Sequence, residues 1–273
     1  MAVVQFLEYR RHDEARTQAN NAIMALLAGA HLASHTLQLT EGSAALLPEI
    51  FPQVPHIRRF NLRTPVAREL LEDAELHLGA MAVPYILAIH EDFVVTCLSM
   101  LGDNRRVDAA AMHDRLQLAV PTIKWGPHLA GFHAARILRN CTIHSGGELS
   151  AKQFAELQKC VDAAGDVEWR SHTKRSTLKL KVGDRVTFAH GELVATLAAT
   201  KRIAEAINLG MQTALSRTAW ADHLVADIRA TEPKLLADER RLRKCAGYAR
   251  HLYGALKLTE AEIAHALKRA GNH

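Results

Sequence analysis

The spacing of hydrophobic residues predicts that most of the chain is helical. Apolar positions recur every three or four residues over residues 8–37, and again over residues 64–101 after the helix-start signal Thr64-Pro65. The same period predicts further helices over 108–120, 127–146, 150–164 and from 191 onward. We therefore expect an all-α fold, built as a helical bundle.

One segment departs from the helical period. Apolar and basic residues alternate over residues 178–182, Gly183-Asp184 is a turn signal, and residues 186–188 continue in the same alternating style. This pattern predicts a small β-hairpin insertion near residues 178–188. The expected organisation is a bundle over residues 1–220 that contains this hairpin, followed by a C-terminal helical extension over residues 221–273.

Charge concentrates in the C-terminal extension. The chain has 34 Lys+Arg and 29 Asp+Glu, a formal charge of +5, and residues 234–257 alone carry seven basic and two acidic residues. Such a stretch can hold a phosphate backbone, although many charge runs are only solvated faces. Arg240, Arg241 and Arg243 are the candidate RNA contacts there. Residues 168–185 form a second basic stretch, for which a solvated face is the simpler interpretation.

Composition and cysteine spacing narrow the class of protein. Hydrophobic residues make up 48% of the chain and aromatic residues only 5%, which is typical of a globular helical protein and not of an all-β or disordered one. The four cysteines lie far apart without a CxxC pair, which is typical of reduced thiols. The apolar stretch 76–90 is shorter than the roughly 20 residues that cross a bilayer. We expect a cytoplasmic protein with no membrane span.

The common catalytic signatures are missing from the sequence. It contains no Gly-rich phosphate loop, HExxH, GxSxG or dinucleotide fingerprint, and no acidic cluster with metal-ligand spacing, so we expect no metal and no cofactor. What remains is Arg139-Asn140-Cys141-Thr142-Ile143-His144, which a predicted helix carries just before Gly146-Gly147. A second Arg–His pair of equal spacing, Arg185 and His190, lies at the predicted hairpin and receives no role.

The residue types of this motif suit RNA cleavage without a metal. That reaction needs a base for the 2′-hydroxyl, an acid for the leaving 5′-oxygen and a cation beside the phosphate. Histidine titrates near neutral pH, and arginine stays charged and offers a planar fork to phosphate oxygens. On a helix, however, Arg139 and His144 leave the axis about 140° apart, whereas Asn140 and His144 are about 40° apart. Arg136 lies nearer their face and is a substitute phosphate contact.

An RNxxxH motif after an apolar helical face (Phe132, Ile137 and Leu138) and before two glycines resembles the HEPN superfamily. The resemblance is clearest over residues 68–211. It implies a helical bundle that is usually a symmetric homodimer, and many members are metal-independent endoribonucleases, toxins or defence effectors. On this resemblance Arg139, Asn140 and His144 are catalytic and RNA is the substrate. An antitoxin or regulatory protein is a further expected partner.

A function of another class stays open, namely nucleic-acid binding or dimerisation without chemistry. Some members of the family have lost activity and serve as binding modules. In addition, Thr259 and Glu262 form a capping-box signature after the turn at Tyr253-Gly254, as in a helix-turn-helix unit. The donors on its second helix are His265, Lys268 and Arg269, and a helical hairpin packed on the bundle is the simpler interpretation.

Overall fold

The computed structural model describes residues 3–40, 45–53, 59, 62–144 and 146–271. Within these ranges, thirteen α-helices follow one another along the chain. They are α1 (Leu7–Gln38), α2 (Leu47–Ile50), α3 (Thr64–Glu72), α4 (Ala74–Met100), α5 (Met112–Ala119), α6 (His128–His144), α7 (Ala151–Cys160), α8 (Ala163–Thr173), α9 (His190–Ala214), α10 (Arg217–Thr231), α11 (Lys234–Ala237), α12 (Arg241–Leu252) and α13 (Glu260–Gly271). The predicted all-α class is confirmed.

The predicted β-hairpin is not present. Residues 177–179 form a 3₁₀ turn, and the turn at Gly183 forms with φ +89°, but the extended chain after it pairs elsewhere. Leu149 N donates to Asp184 O over 3.0 Å and Val186 N donates to Gly147 O over 2.7 Å. The alternating pattern misled because Leu178 and Val182 are 40% and 54% exposed, so the first half of the segment has no buried face to hold a strand.

Two helix boundaries also differ from the sequence prediction. The helix predicted over 64–101 is two helices, α3 and α4, separated at Asp73, and Thr64 is the first residue of α3 instead of its cap. The helix predicted over 150–164 ends at Cys160. Asp162 then caps α8, because its Oδ1 accepts a hydrogen bond from Gly165 N over 2.7 Å. Only two residues separate α7 from α8, which is too few to change the spacing of hydrophobic residues visibly.

The chain divides into two compact units that interleave along the sequence. The terminal unit comprises Met1–Arg16, Ala88–Leu129 and Ala198–His273. The motif unit comprises Thr17–Leu87 and Ala130–Leu197, and it contains Arg139, Asn140 and His144. The predicted domain boundary at residue 220 lies inside the last segment of the terminal unit, so the C-terminal helices share a unit with the N-terminus.

The terminal unit is held together by aromatic rings and one buried carboxylate. Phe6 packs edge-on against Trp220, with ring centroids 5.4 Å apart. Asp227 accepts two hydrogen bonds from the Arg10 guanidinium, at 2.8 and 3.0 Å, and one from the Tyr253 hydroxyl at 2.8 Å. Because Arg10 lies on α1 and the other two follow residue 220, this buried ion pair ties the first helix to the C-terminal helices.

Three histidines are also buried in the terminal unit. The ring of His90 stacks on that of His113, with 3.1 Å between their Nε2 atoms, and His12 packs against His90 and stacks on Phe93. Burial, reinforced by the Arg16 charge, lowers the pKa of His12 to about 4. Burial and the neighbouring rings of His113 and His12 lower the pKa of His90 well below its usual value. The rings of His12 and His90 are therefore neutral at pH 7.

Among the described residues, α4 is a helix long and apolar enough to cross a membrane, and it exceeds the 15-residue stretch recognised in the sequence. Half of its most apolar window is buried inside the protein. The absence of a membrane span stays a prediction.

The motif unit packs around α6. The predicted apolar face is confirmed, because Phe132 and Ile137 have no exposed surface and Leu138 is also buried. Helix α8 approaches α6 closely at Gly165, where an added Cβ atom would clash with the Cβ atom of Ala130. The core of this unit therefore holds α6 firmly along most of its length.

Candidate active site

The motif occupies the last two turns of α6, where the helix leaves the core. Arg139 and Asn140 are half-buried and His144 is exposed, whereas Cys141 between them is buried. The Thr142 hydroxyl donates to the Arg139 carbonyl over 2.8 Å, and the Cys141 thiol donates to the Ile137 carbonyl over 3.3 Å. Packing of the buried face thus fixes the backbone. His144 lies at the surface, whereas the Nε atom of Arg139 is buried.

The two glycines after the motif terminate the helix. Gly146 and Gly147 have φ values of +64° and +91°, a region that residues with a Cβ atom rarely adopt. Gly147 N donates back to the Cys141 carbonyl over 3.0 Å. The chain is thereby redirected into residues 147–149, which pair with residues 183–186 in extended form. Ser145 lies outside the described residues.

Arg136 is engaged in an ion pair inside the motif unit. Its guanidinium is 5% exposed, and its Nη2 donates to Glu156 Oε1 on α7 over 2.6 Å. Its Nε lies 3.4 Å from His133 Nδ1, and His133 is buried as well. Arg136 therefore joins α6 to α7, and contact with RNA would require that ion pair to break.

The geometry of α6 separates the two charged motif residues. Arg139 and His144 are five residues apart on one helix, so their side chains leave the axis about 140° apart. Asn140 and His144 share one side of the helix. The motif of one α6 helix thus presents one exposed histidine, His144, on the same side as one amide, Asn140.

The predicted C-terminal RNA contacts belong to the terminal unit. Arg240, Arg241 and Arg243 are all exposed, at the start of α12. The capping box that follows is confirmed, because Thr259 N donates to Glu262 Oε2 over 2.7 Å and Glu262 N donates to Thr259 Oγ1 over 3.3 Å. Helix α13 then buries Ile263 and Ala266 and packs on α10 and α12. This packing is that of a helical hairpin within the unit.

Sequence reasoning gave no role to Arg185, but the structure places its backbone opposite Glu148 in an antiparallel bridge. Glu148 follows His144 by four residues. The backbone of Arg185 therefore pairs with the chain segment that follows the motif. No spacing rule in the sequence indicates this pairing, since the two residues are 37 positions apart.

No group of three or more His, Cys, Asp or Glu that could hold a metal ion occurs among the residues described. Compared with protein-family models, with curated proteins and with solved structures, the chain matches none. The resemblance to the HEPN superfamily therefore rests on the motif and its helical setting.

Proposed function

We propose that this protein is a metal-independent endoribonuclease of the HEPN type that acts as a homodimer. One observation carries the proposal: the RNxxxH motif ends a firmly packed helix, with His144 exposed and Arg139 and Asn140 at the edge of the surface. An exposed imidazole at this position is accessible to a substrate. The buried face of α6 gives these side chains a rigid support.

The chemistry uses the RNA as its own nucleophile. His144 of one protomer removes the 2′-hydroxyl proton, and the 2′-oxygen attacks the adjacent phosphorus. The bond from phosphorus to the 5′-oxygen breaks, and a second histidine gives that oxygen its proton. Arg139 stabilises the charge on the non-bridging oxygens, and Asn140 orients the phosphate or the imidazole by neutral hydrogen bonds. The products are a 2′,3′-cyclic phosphate and a 5′-hydroxyl.

A homodimer follows from the same chemistry. Each chain supplies one motif histidine, and a symmetric pair of chains brings two copies of one surface together across its axis. In such a dimer, Arg139 of one protomer can contact the same cleft as His144 of the other protomer. Within one chain the two side chains leave their helix about 140° apart. Light scattering at micromolar concentration should show twice the 30.1 kDa chain mass.

The test is cleavage of single-stranded RNA in excess EDTA. We expect products with 2′,3′-cyclic phosphate ends, and no cleavage of the same sequence made with 2′-O-methyl nucleotides or as DNA, because both lack the nucleophile. Activity that EDTA abolishes, or cleavage of the 2′-O-methyl RNA, would contradict the proposed mechanism.

Binding without chemistry is the second candidate function. The observation in its favour is the row of exposed arginines at positions 240, 241 and 243, which no catalytic step requires. A wild-type protein that binds varied RNAs in gel-shift experiments and leaves them intact would support this function and not the first. RNA binding whose salt dependence is unchanged by the triple Arg→Gln variant would assign those arginines to a solvated face.

A further inference from the structure

The segment over residues 174–189, called the basic loop below, is anchored by one buried carboxylate. Asp166 on α8 accepts hydrogen bonds from Thr177 N at 2.7 Å, from the hydroxyls of Thr177 and Ser176 at 2.9 Å each, and from Leu178 N at 3.3 Å. Burial alone would raise the pKa of Asp166, but these hydrogen bonds outweigh it and hold the pKa below its ordinary value. The start of the loop is therefore fixed to the motif unit.

The end of the basic loop is fixed to the chain that follows the motif. Val186 N donates to Gly147 O over 2.7 Å, and Gly183 N donates to Leu149 O over 2.9 Å. Gly147 is three residues beyond His144, and consecutive Cα atoms are about 3.8 Å apart, so this part of the loop lies at most about 15 Å from His144 along the backbone. A few nucleotides of RNA span that distance.

The basic loop carries five Lys or Arg residues and one acidic residue, Asp184. Arg175 is occupied, since its Nη1 donates to Thr187 Oγ1 over 3.1 Å and lies 3.7 Å from Glu192 Oε1. Lys179, Lys181 and Arg185 are exposed, and none of the three forms an ion pair with a described residue. The loop thus presents three exposed positive charges on an anchored backbone, against the carboxylate of Asp184, whose Oδ2 accepts a hydrogen bond from Lys181 N over 2.8 Å.

We propose that the basic loop holds the RNA backbone beside His144, with Lys179, Lys181 and Arg185 contacting phosphates. This proposal rests on the proposed ribonuclease function and names where its substrate binds. Lys179 and Lys181 are separated by an extended residue, Leu180, which sets their Cα atoms about 7 Å apart, a spacing comparable to that of phosphates along an extended single strand. The loop and the motif belong to one compact unit, whereas Arg240, Arg241 and Arg243 belong to the other.

The experiment measures binding of a fluorescein-labelled 20-nucleotide single-stranded RNA by anisotropy over a series of salt concentrations. His144→Ala protein is the parent, so that the RNA is not consumed. The loop variant adds Lys179→Gln, Lys181→Gln and Arg185→Gln. The matched control adds Arg63→Gln, Lys152→Gln and Lys159→Gln, three exposed cations elsewhere in the motif unit, so that each variant loses three charges. We expect the loop variant to bind at least 10-fold more weakly, with a salt slope shallower by about two units.

A second readout uses proteins that retain His144. The loop substitutions should raise KM for RNA with kcat largely kept, because the lost contacts hold substrate and transition state alike. Thermal unfolding followed by circular dichroism checks that the variants fold. If the triple variant has a lower melting temperature than its parent, the single substitution Lys181→Gln replaces it. This variant should change the salt slope of RNA binding by about one third as much.

The outcomes separate the two proposals. If the parent binds RNA and the wild type cleaves it, but the loop variant keeps the parent's salt slope, the loop assignment is wrong and the ribonuclease proposal survives. If neither binding nor cleavage is seen with the unmodified loop, the proposed function itself fails. Unchanged RNA binding together with lost binding to vesicles of acidic phospholipid would assign the loop to a membrane surface.

Discussion

The two units place their histidines in opposite environments. In the terminal unit His12, His90 and His113 are buried and lie in a row with Phe93 and the half-buried Trp125, and the lowered pKa values of His12 and His90 keep those two rings neutral. In the motif unit His144 lies exposed at the end of a helix. The contrast shows why residue type alone does not indicate chemistry, because burial decides whether an imidazole can exchange protons near neutral pH.

The same contrast extends to the charged groups. The carboxylate of Asp227 accepts hydrogen bonds from Arg10 and Tyr253 inside the terminal unit. The carboxylate of Asp166 accepts hydrogen bonds from hydroxyls and amides of the basic loop in the motif unit. Both carboxylates link segments of their own unit, and their hydrogen bonds leave neither available to a substrate. His144 and the three basic side chains of the loop, in contrast, lie at the surface of the motif unit. Surface position and an anchored backbone together distinguish the candidate site.

The largest expected effect tests whether exposure marks the catalytic histidine. His144→Ala should lower kcat for RNA cleavage by about 10² to 10⁴, the usual size of a lost general acid or base, with little change in RNA affinity. The matched control is His77→Ala, which removes an exposed histidine from another helix of the same unit and should leave kcat unchanged. Equal rates for the two variants would mean that the motif histidine has no special role.

The second prediction concerns the buried histidines of the terminal unit. The pKa of His12 is about 4 in the folded protein and about 6.5 when unfolded, so the unfolded state takes up the proton first as pH falls. The contribution of neutral His12 to the free energy of unfolding is therefore fully present above pH 6.5. It decreases by about 1.4 kcal/mol per pH unit as the pH falls from 6.5 toward 4. Urea unfolding at pH 7.5, 6 and 5 measures this slope.

The control for that measurement removes the buried titratable ring. His12→Phe, which can keep the stacking on Phe93, should flatten the pH dependence by about one proton. A wild-type free energy of unfolding that is the same at pH 7.5 and pH 5 would show that these rings are not held neutral by burial.

The sequence predicted correctly the helices that a single hydrophobic period defines. It failed where a backbone segment pairs with a partner that is distant along the chain. The helix over residues 8–37 is confirmed as α1, and the buried stripe after residue 191 is confirmed in α9, where Ile203, Ile207 and Met211 have no exposed surface. The hairpin was wrong because the partner of residues 183–186 is residues 147–149, and no local pattern encodes that choice.

The candidate site shows the same division. The motif and its supporting face could be found in the sequence, since both lie within one helix. The role of Arg136 could not, because its partner Glu156 lies on the next helix. For the basic stretch over residues 168–185 the sequence favours a solvated face and leaves phosphate binding open. The hydrogen bond from Val186 N to Gly147 O, which fixes the loop beside the motif, joins residues far apart along the chain.

The smallest expected effect, a factor of two, decides whether the active site is shared between protomers. Wild-type protein and His144→Ala protein are mixed in equal amounts and allowed to exchange subunits, and RNA cleavage is compared with that of an unmixed wild type at the same total protein concentration. If each cleft needs His144 from both chains, only the wild-type homodimers are active, and activity falls to about one quarter, since random pairing leaves about that share of dimers intact. If each protomer has an independent site, about one half of the activity would remain.

The His77→Ala protein mixed in the same way should retain full activity, which controls for losses during exchange. A result near one half would remove the shared cleft and leave a single histidine to serve as both base and acid.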